Sequence, residues 1–126
     1  MRASGVLTIM ASMLVAANAA ASGRVFEGPY AGNCGDKVQC TLQFGESAGG
    51  FDMVLEVADG IDATKVVCAF RGRLAAVAFD VLAGDVDGAS VRVMRARSGE
   101  VLVSGVPEGA CTGARLNGSY VEFFDE

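Results

Sequence analysis

The chain has 126 residues, 10 Lys+Arg against 15 Asp+Glu, a formal net charge of -5, four cysteines, and neither histidine nor tryptophan. An acidic domain without a basic run argues against nucleic acid and anionic membrane surfaces as partners, since both need a positive stripe. Without histidine the commonest general base, the commonest metal ligand and every Ser-His or Cys-His nucleophile pair are lost, so no enzyme activity, metal or cofactor is expected.

Arg2 opens the chain, and Val6 to Ala17 form an apolar run broken only by Thr8 and Ser12. Ala17-Asn18-Ala19 and Ala19-Ala20-Ala21 both fit the small-residue cleavage pattern of a secretory signal. The run is shorter than the ~20 apolar residues that span a bilayer. Residues 1-21 are therefore expected to be a signal peptide and residues 22-126 one exported domain, periplasmic or secreted. Four cysteines in an exported chain read as two disulfides, which a small core needs.

A first strand is expected over Arg24–Tyr30, bulged or at an edge around Pro29, which has no N–H to donate. After a turn over 31–37, Val38, Cys40, Leu42 and Phe44 alternate with Gln39, Thr41 and Gln43, the period of a strand with one dry face. Residues 45–50 read as a plain loop. Phe51, Met53, Leu55 and Val57 alternate with Asp52, Val54 and Glu56 in a third strand, broken at Asp59-Gly60. A fourth is expected over Lys65–Arg71 with Val66, Cys68 and Phe70 on one face. A fifth spans Ala76–Leu82, with Val77, Phe79 and Val81 inward and Asp80 outward; the only helical candidate, Leu74–Leu82, is short and uncapped. Residues 84–88 form a turn, Ser90–Arg95 and Glu100–Gly105 a hairpin, 106–117 a long loop with Cys111, and Gly118–Phe124 the last strand.

Eight short strands separated by turn signals predict an all-β fold, an eight-stranded antiparallel up-and-down barrel stabilised by disulfides, with a β-sandwich as the alternative. In the barrel, Cys34, Cys40, Cys68 and Cys111 all fall at one rim. Cys34 with Cys40 across the Gly35-Asp36 turn and Cys68 with Cys111 is the preferred pairing; Cys34 with Cys111 and Cys40 with Cys68 is the rival. An outer-membrane barrel needs longer strands with an apolar outer face, whereas Gln39, Gln43, Asp52, Glu56 and Asp80 would face lipid.

Asp85 with Asp87, and Asp59 with Asp62, are the closest approach to a carboxylate pair or calcium loop, but turn aspartates of this kind ordinarily bond to their own backbone. Arg71, Arg73, Arg92, Arg95 and Arg97 cluster on the fourth and sixth strands, where Asp80 would make a cross-strand charge ladder. Phe44, Phe51, Phe70 and Phe79 share the inward face and read as core. A barrel this small is filled by side chains or leaves room for one small ligand.

Thr112-Gly113-Ala114-Arg115, directly after Cys111, resembles the Ser-Gly-Ala-Arg/Lys segment of c-type lysozyme inhibitors, and the layout is similar to small exported bacterial calycin-like barrels, periplasmic lysozyme and protease inhibitors among them. The aromatic residues of that family segment, including a tryptophan, are missing here. The resemblance implies a protein-binding module whose rim loops insert into an enzyme cleft, with Thr112 and Arg115 as the inserted residues. Glu108 and Asn117 on the same loop complete the binding candidates, and a basic hydrolase suits an acidic domain. A small-ligand carrier with its site inside the barrel is the alternative.

Overall fold

In the computed structural model, Phe26 and residues 28–123 are described; the expected signal peptide and Arg24 lie outside them. Eight strands follow one another: β1 (Tyr30–Gly32), β2 (Val38–Ser47), β3 (Gly50–Asp59), β4 (Val66–Ala78), β5 (Val81–Val86), β6 (Ala89–Arg95), β7 (Val101–Ser104) and β8 (Gly118–Glu122). Each pairs antiparallel with the next, and β8 closes on β1 through Tyr30↔Glu122, Ala31↔Val121 and Gly32↔Tyr120. The fold is the closed eight-stranded barrel, and the sandwich is set aside. The disulfides are Cys34–Cys40 and Cys68–Cys111, the preferred pairing.

The period-2 patterns become the two faces of the wall. On β3, Phe51, Met53, Leu55 and Val57 are buried while Asp52 is exposed and Val54 and Glu56 are half-buried. Leu42, Leu74, Leu82, Val91, Val93, Val101 and Tyr120 meet them from the other strands, each at most 2 % exposed. Burying such a side chain is worth roughly 1.5–3 kcal/mol, so the interior, filled by side chains, is the main source of stability.

Several boundaries move. The first strand begins only at Tyr30, because Pro29 cannot donate a ladder bond; its carbonyl instead accepts the N–H of Phe123 at 3.1 Å. Phe26 is not a strand residue but is buried against Phe44 and Phe51, ring centroids 5.6 and 6.3 Å away. The loop over 45–50 shrinks to the two-residue turn Ala48-Gly49, and the turn over 84–88 to Asp87-Gly88. In both turns the two central residues have positive φ (46° and 80°, 51° and 84°), as a tight hairpin that follows the strand twist requires.

The fifth strand is displaced furthest. β4 runs through Ala76 to Ala78, Phe79-Asp80 is the β4–β5 turn, and β5 starts at Val81. Val77 is an extra residue between Ala76↔Leu82 and Ala78↔Val81, a β-bulge. Val77 and Phe79 are therefore exposed, at 57 % and 62 %, and not inward; Val81 is outward and half-buried. A second bulge, between Val57↔Cys68 and Ala58↔Val66, inserts Val67 and leaves Val66 49 % and Val67 53 % exposed. Among the described residues there is no helix.

The β1–β8 seam is three residue pairs long and rests on Tyr120. Gly32 admits its ring: a Cβ there would sit 2.6 Å from it. The Tyr120 hydroxyl donates to the Leu116 carbonyl at 2.6 Å, and burial pushes its pKa up to about 12. The unfolded chain loses this proton near pH 10 and the native chain near 12, so native stability is full below pH 10 and falls as pH rises through that window. Tyr120→Phe is expected to cost about 1 kcal/mol at neutral pH and to flatten the alkaline decline, checked by urea unfolding at pH 7 and above pH 10.

Candidate functional site

Both disulfides lie at one end of the barrel. Three connections meet there: residues 33–37 after β1, residues 60–65 between β3 and β4, and residues 105–117 between β7 and β8. Cys34–Cys40 ties the first connection to β2 with a Cα–Cα distance of 6.1 Å, and Cys68–Cys111 ties the third to β4 at 6.2 Å. The two loops also bind each other: the Arg115 N–H donates to the Cys34 carbonyl at 2.7 Å. A Cβ on Gly35 would lie 2.6 Å from the Gly113 carbonyl oxygen, so the loops touch at backbone level.

Between them opens a groove of about 720 Å³, lined by Asn33, Asp36, Thr112 and Arg115 with glycine backbone and both half-cystines Cys34 and Cys111. Thr112 and Arg115 are exposed, and the Arg115 guanidinium makes no ion pair or side-chain hydrogen bond among the described residues. An exposed, bidentate donor on the lining of a groove can take a carboxylate or a row of carbonyls.

The other two candidates have different places. Asn117 is half-buried and spends its amide on the loop base: Oδ1 accepts the Val106 N–H at 2.9 Å and Nδ2 donates to the Val106 carbonyl at 2.7 Å. It holds the loop's shape. Glu108 is exposed on the same loop but outside the groove lining.

The β3–β4 connection completes the rim. Asp59 Oδ2 accepts the N–H groups of Ile61 and Asp62 at 3.0 and 2.9 Å, Asp62 Oδ1 accepts both the N–H and the hydroxyl of Thr64, and the Gly60 N–H donates to the Lys37 carbonyl. These bonds from Asp62 and Ile61, together with nearby Lys65, hold the Asp59 carboxyl below its ordinary value. Locked on this frame, Ile61 is 99 % exposed, with Val66 and Val67 beside the Cys68–Cys111 link. The alternation places Val66 on one face with Cys68 and Phe70, which the bulge at Val67 overturns, and it assigns no role to Ile61 or Val67. Ile61 could have been found in the sequence, as an apolar residue inside an Asp-Gly-x-Asp turn; Val66 and Val67 could not, because the bulge that exposes them has no sequence signal of its own.

The acidic pairs do not build a catalytic site. Asp59 and Asp62 bond to turn backbone, Asp85 on β5 pairs in register with Arg73 of β4 and Ser90 of β6, and Asp87 occupies a hairpin turn. No group of three or more acidic or cysteine side chains able to hold a metal occurs among the described residues. The charge ladder runs elsewhere than expected. Arg73 binds Asp52 at 3.0 Å and clamps the β2–β3 hairpin through Ser47 and the carbonyls of Ser47 and Ala48. Asp80 is not on a strand; its carbonyl, in the turn, accepts the Arg95 N–H at 2.9 Å.

Among the described residues no helix is long and apolar enough to cross a membrane. No family model, no curated protein and no solved structure matches the chain.

Proposed function

We propose that this chain is an exported, non-enzymatic protein-binding module whose disulfide-pinned rim engages another protein, a basic hydrolase of the lysozyme or protease type being the partner its charge suits best. The observation that carries the reading is the exposed Arg115 guanidinium, without an ion pair among the described residues, beside Thr112 at a groove whose walls are two covalently tethered loops. Loops held in one conformation before contact lose little entropy on binding, so their contacts convert to affinity. Ile61, Val66 and Val67 add an apolar rim that a protein surface can cover. The net charge of -5 favours encounter with a basic partner. Export agrees with the pairing of all four cysteines, since disulfides persist in oxidising compartments. The carrier reading needs room inside the barrel, where Leu42, Met53, Leu55 and Leu82 are fully buried members of one core cluster, and it stands second.

The oxidised protein, immobilised and challenged with c-type lysozymes and secreted serine proteases, is expected to form a one-to-one complex with a basic member of the set. Arg115→Ala is expected to weaken it by about 30-fold, the effect of losing an interface anchor worth ~2 kcal/mol. Absence of a complex with every enzyme tested, or one indifferent to Arg115→Ala and Thr112→Ala, would overturn the reading.

A further inference from the structure

The long rim connection ends in a reactive junction. Of the chain's three asparagines, Asn18, Asn33 and Asn117, only Asn117 precedes a glycine. Glycine has no side chain to shield its backbone nitrogen, so in an Asn-Gly pair that nitrogen can reach the asparagine carboxamide carbon. Gly118 is exposed, and nothing lies within 4 Å of where a Cβ would stand. The other partner is held back. Oδ1 of Asn117 accepts the Val106 N–H at 2.9 Å and Nδ2 donates to the Val106 carbonyl at 2.7 Å, which fixes the half-buried carboxamide at both ends. The neighbouring Ser119 hydroxyl is committed to Glu100 Oε2 at 2.6 Å. A cavity of about 20 Å³, room for about one water, lies against the junction, with Arg115, Asn117, Gly118 and Ser119 in its lining.

We propose that Asn117-Gly118 is a self-modification site, held inactive by the Val106 clamp, released when the 105–117 connection opens, and closing down the rim once it has reacted. The Gly118 nitrogen bonds to Asn117 Cγ, the Cγ–Nδ2 bond breaks, and the nitrogen's proton leaves with Nδ2 as ammonia. The succinimide so formed adds one water at either carbonyl and opens to aspartate or isoaspartate. Water enters, ammonia leaves, and nothing is oxidised or reduced. Either product sets a carboxylate, which has no proton to donate, against the Val106 carbonyl. That carboxylate finds a partner in Arg115, which lines the same cavity and has no ion pair among the described residues. Isoaspartate also lengthens the backbone beside Val103↔Gly118, the end pair of the short β7–β8 ladder. The change is one-way, so a rim that has opened is marked and does not reclose. The covalent tie on this connection is Cys68–Cys111, and its loss is the event that the site records. Only the consequence for binding rests on the protein-binding reading above.

Deamidation is followed by mass spectrometry of the peptide bearing Asn117 and by its isoaspartate content, with no partner present. The native oxidised protein is expected to react at least about 30-fold more slowly than the same protein unfolded in guanidinium chloride, where Gly118→Ala slows the reaction at least about 10-fold. Cys68→Ser/Cys111→Ser is expected to react about 10-fold faster than the native oxidised protein; should that variant not fold, the oxidised protein in guanidinium chloride below its unfolding midpoint takes its place. Equal rates in native and unfolded protein, or a rate that opening leaves unmoved, overturn the proposal. Asn117→Asp reports on the product. Its urea midpoint is expected to lie below that of the unsubstituted protein at neutral pH, with the gap narrowing as pH falls through about 4, where the protonated carboxyl can donate to Val106 again. A midpoint unchanged at neutral pH overturns the loosening of the loop. The hydrolase complex is expected to weaken about 10-fold in Asn117→Asp; a complex left intact overturns the closing of the rim, whereas its absence from the unsubstituted protein counts against the binding reading and leaves the deamidation rates standing.

Discussion

Replacing Cys68 and Cys111 together by serine is expected to lower stability by about 4 kcal/mol, against about 2 kcal/mol for the Cys34/Cys40 pair. The difference comes from the unfolded chain. A cross-link removes loop-closure entropy that grows with the logarithm of the loop it closes. The Cys68–Cys111 link spans a sequence separation of 43 and the Cys34–Cys40 link only 6. In a domain whose total stability is of order 5–15 kcal/mol, the larger loss leaves little reserve. It also frees the connection that carries Thr112 and Arg115 from β4, so weaker partner binding should accompany it. Urea unfolding of the two double variants checks the order; equal losses, or a larger one for Cys34/Cys40, would refute the entropic account.

Gly105→Ala is the second large expected effect. Gly105 follows β7 directly and opens the connection that bears the candidate site, with φ at 94°. A Cβ there would meet the Ser90 carbonyl oxygen at 2.1 Å and the Val91 Cα at 3.2 Å, both backbone atoms of the paired β6. Neither can move without disturbing the β5–β6 ladder, in which Ser90 pairs with Asp85 and Val91 with Gly84. Left-handed strain of about 1–2 kcal/mol adds to an overpacking cost of about 1–3 kcal/mol, so a loss of about 3 kcal/mol or more is expected. Gly113→Ala is the control: its φ is 83°, but nothing lies within 4 Å of the added Cβ, so only the strain remains. If the urea midpoints of the two variants fall together, backbone contact at Gly105 is not the cause.

Much of the wall was legible in the chain. The alternation from Val38 to Phe44 and from Phe51 to Val57 names the dry face of β2 and β3 residue by residue, because in a strand the side-chain period is two whatever the surrounding fold. The even cysteine count is read directly, and the placing of all four at one rim follows from strand order; order left the pairing open, and the pairing found is the preferred one, Cys34–Cys40 across its turn and Cys68–Cys111 from loop to rim. At the site, Thr112 and Arg115 line the groove between the two tethered loops. Asn117 has another task there, since a half-buried amide flanked by Val106 N–H and C=O satisfies the backbone before it can serve a partner.

The sequence by itself determined the class, the strand count, the inward residues of the regular strands and the cysteine framework, all of which depend on local period and on order along the chain. Only the tertiary structure decided where that period breaks. One extra residue of β4 bulges against each neighbour, Val67 opposite β3 and Val77 opposite β5. Those two extra residues expose Val66, Val67 and Val77, shift the β4–β5 turn to Phe79-Asp80, and leave β4 longer than its neighbour. The groove likewise exists only because Gly35 and Gly113, 78 positions apart in the chain by their numbering, meet at backbone distance. Closure of the barrel is a long-range condition, and no local pattern encodes it.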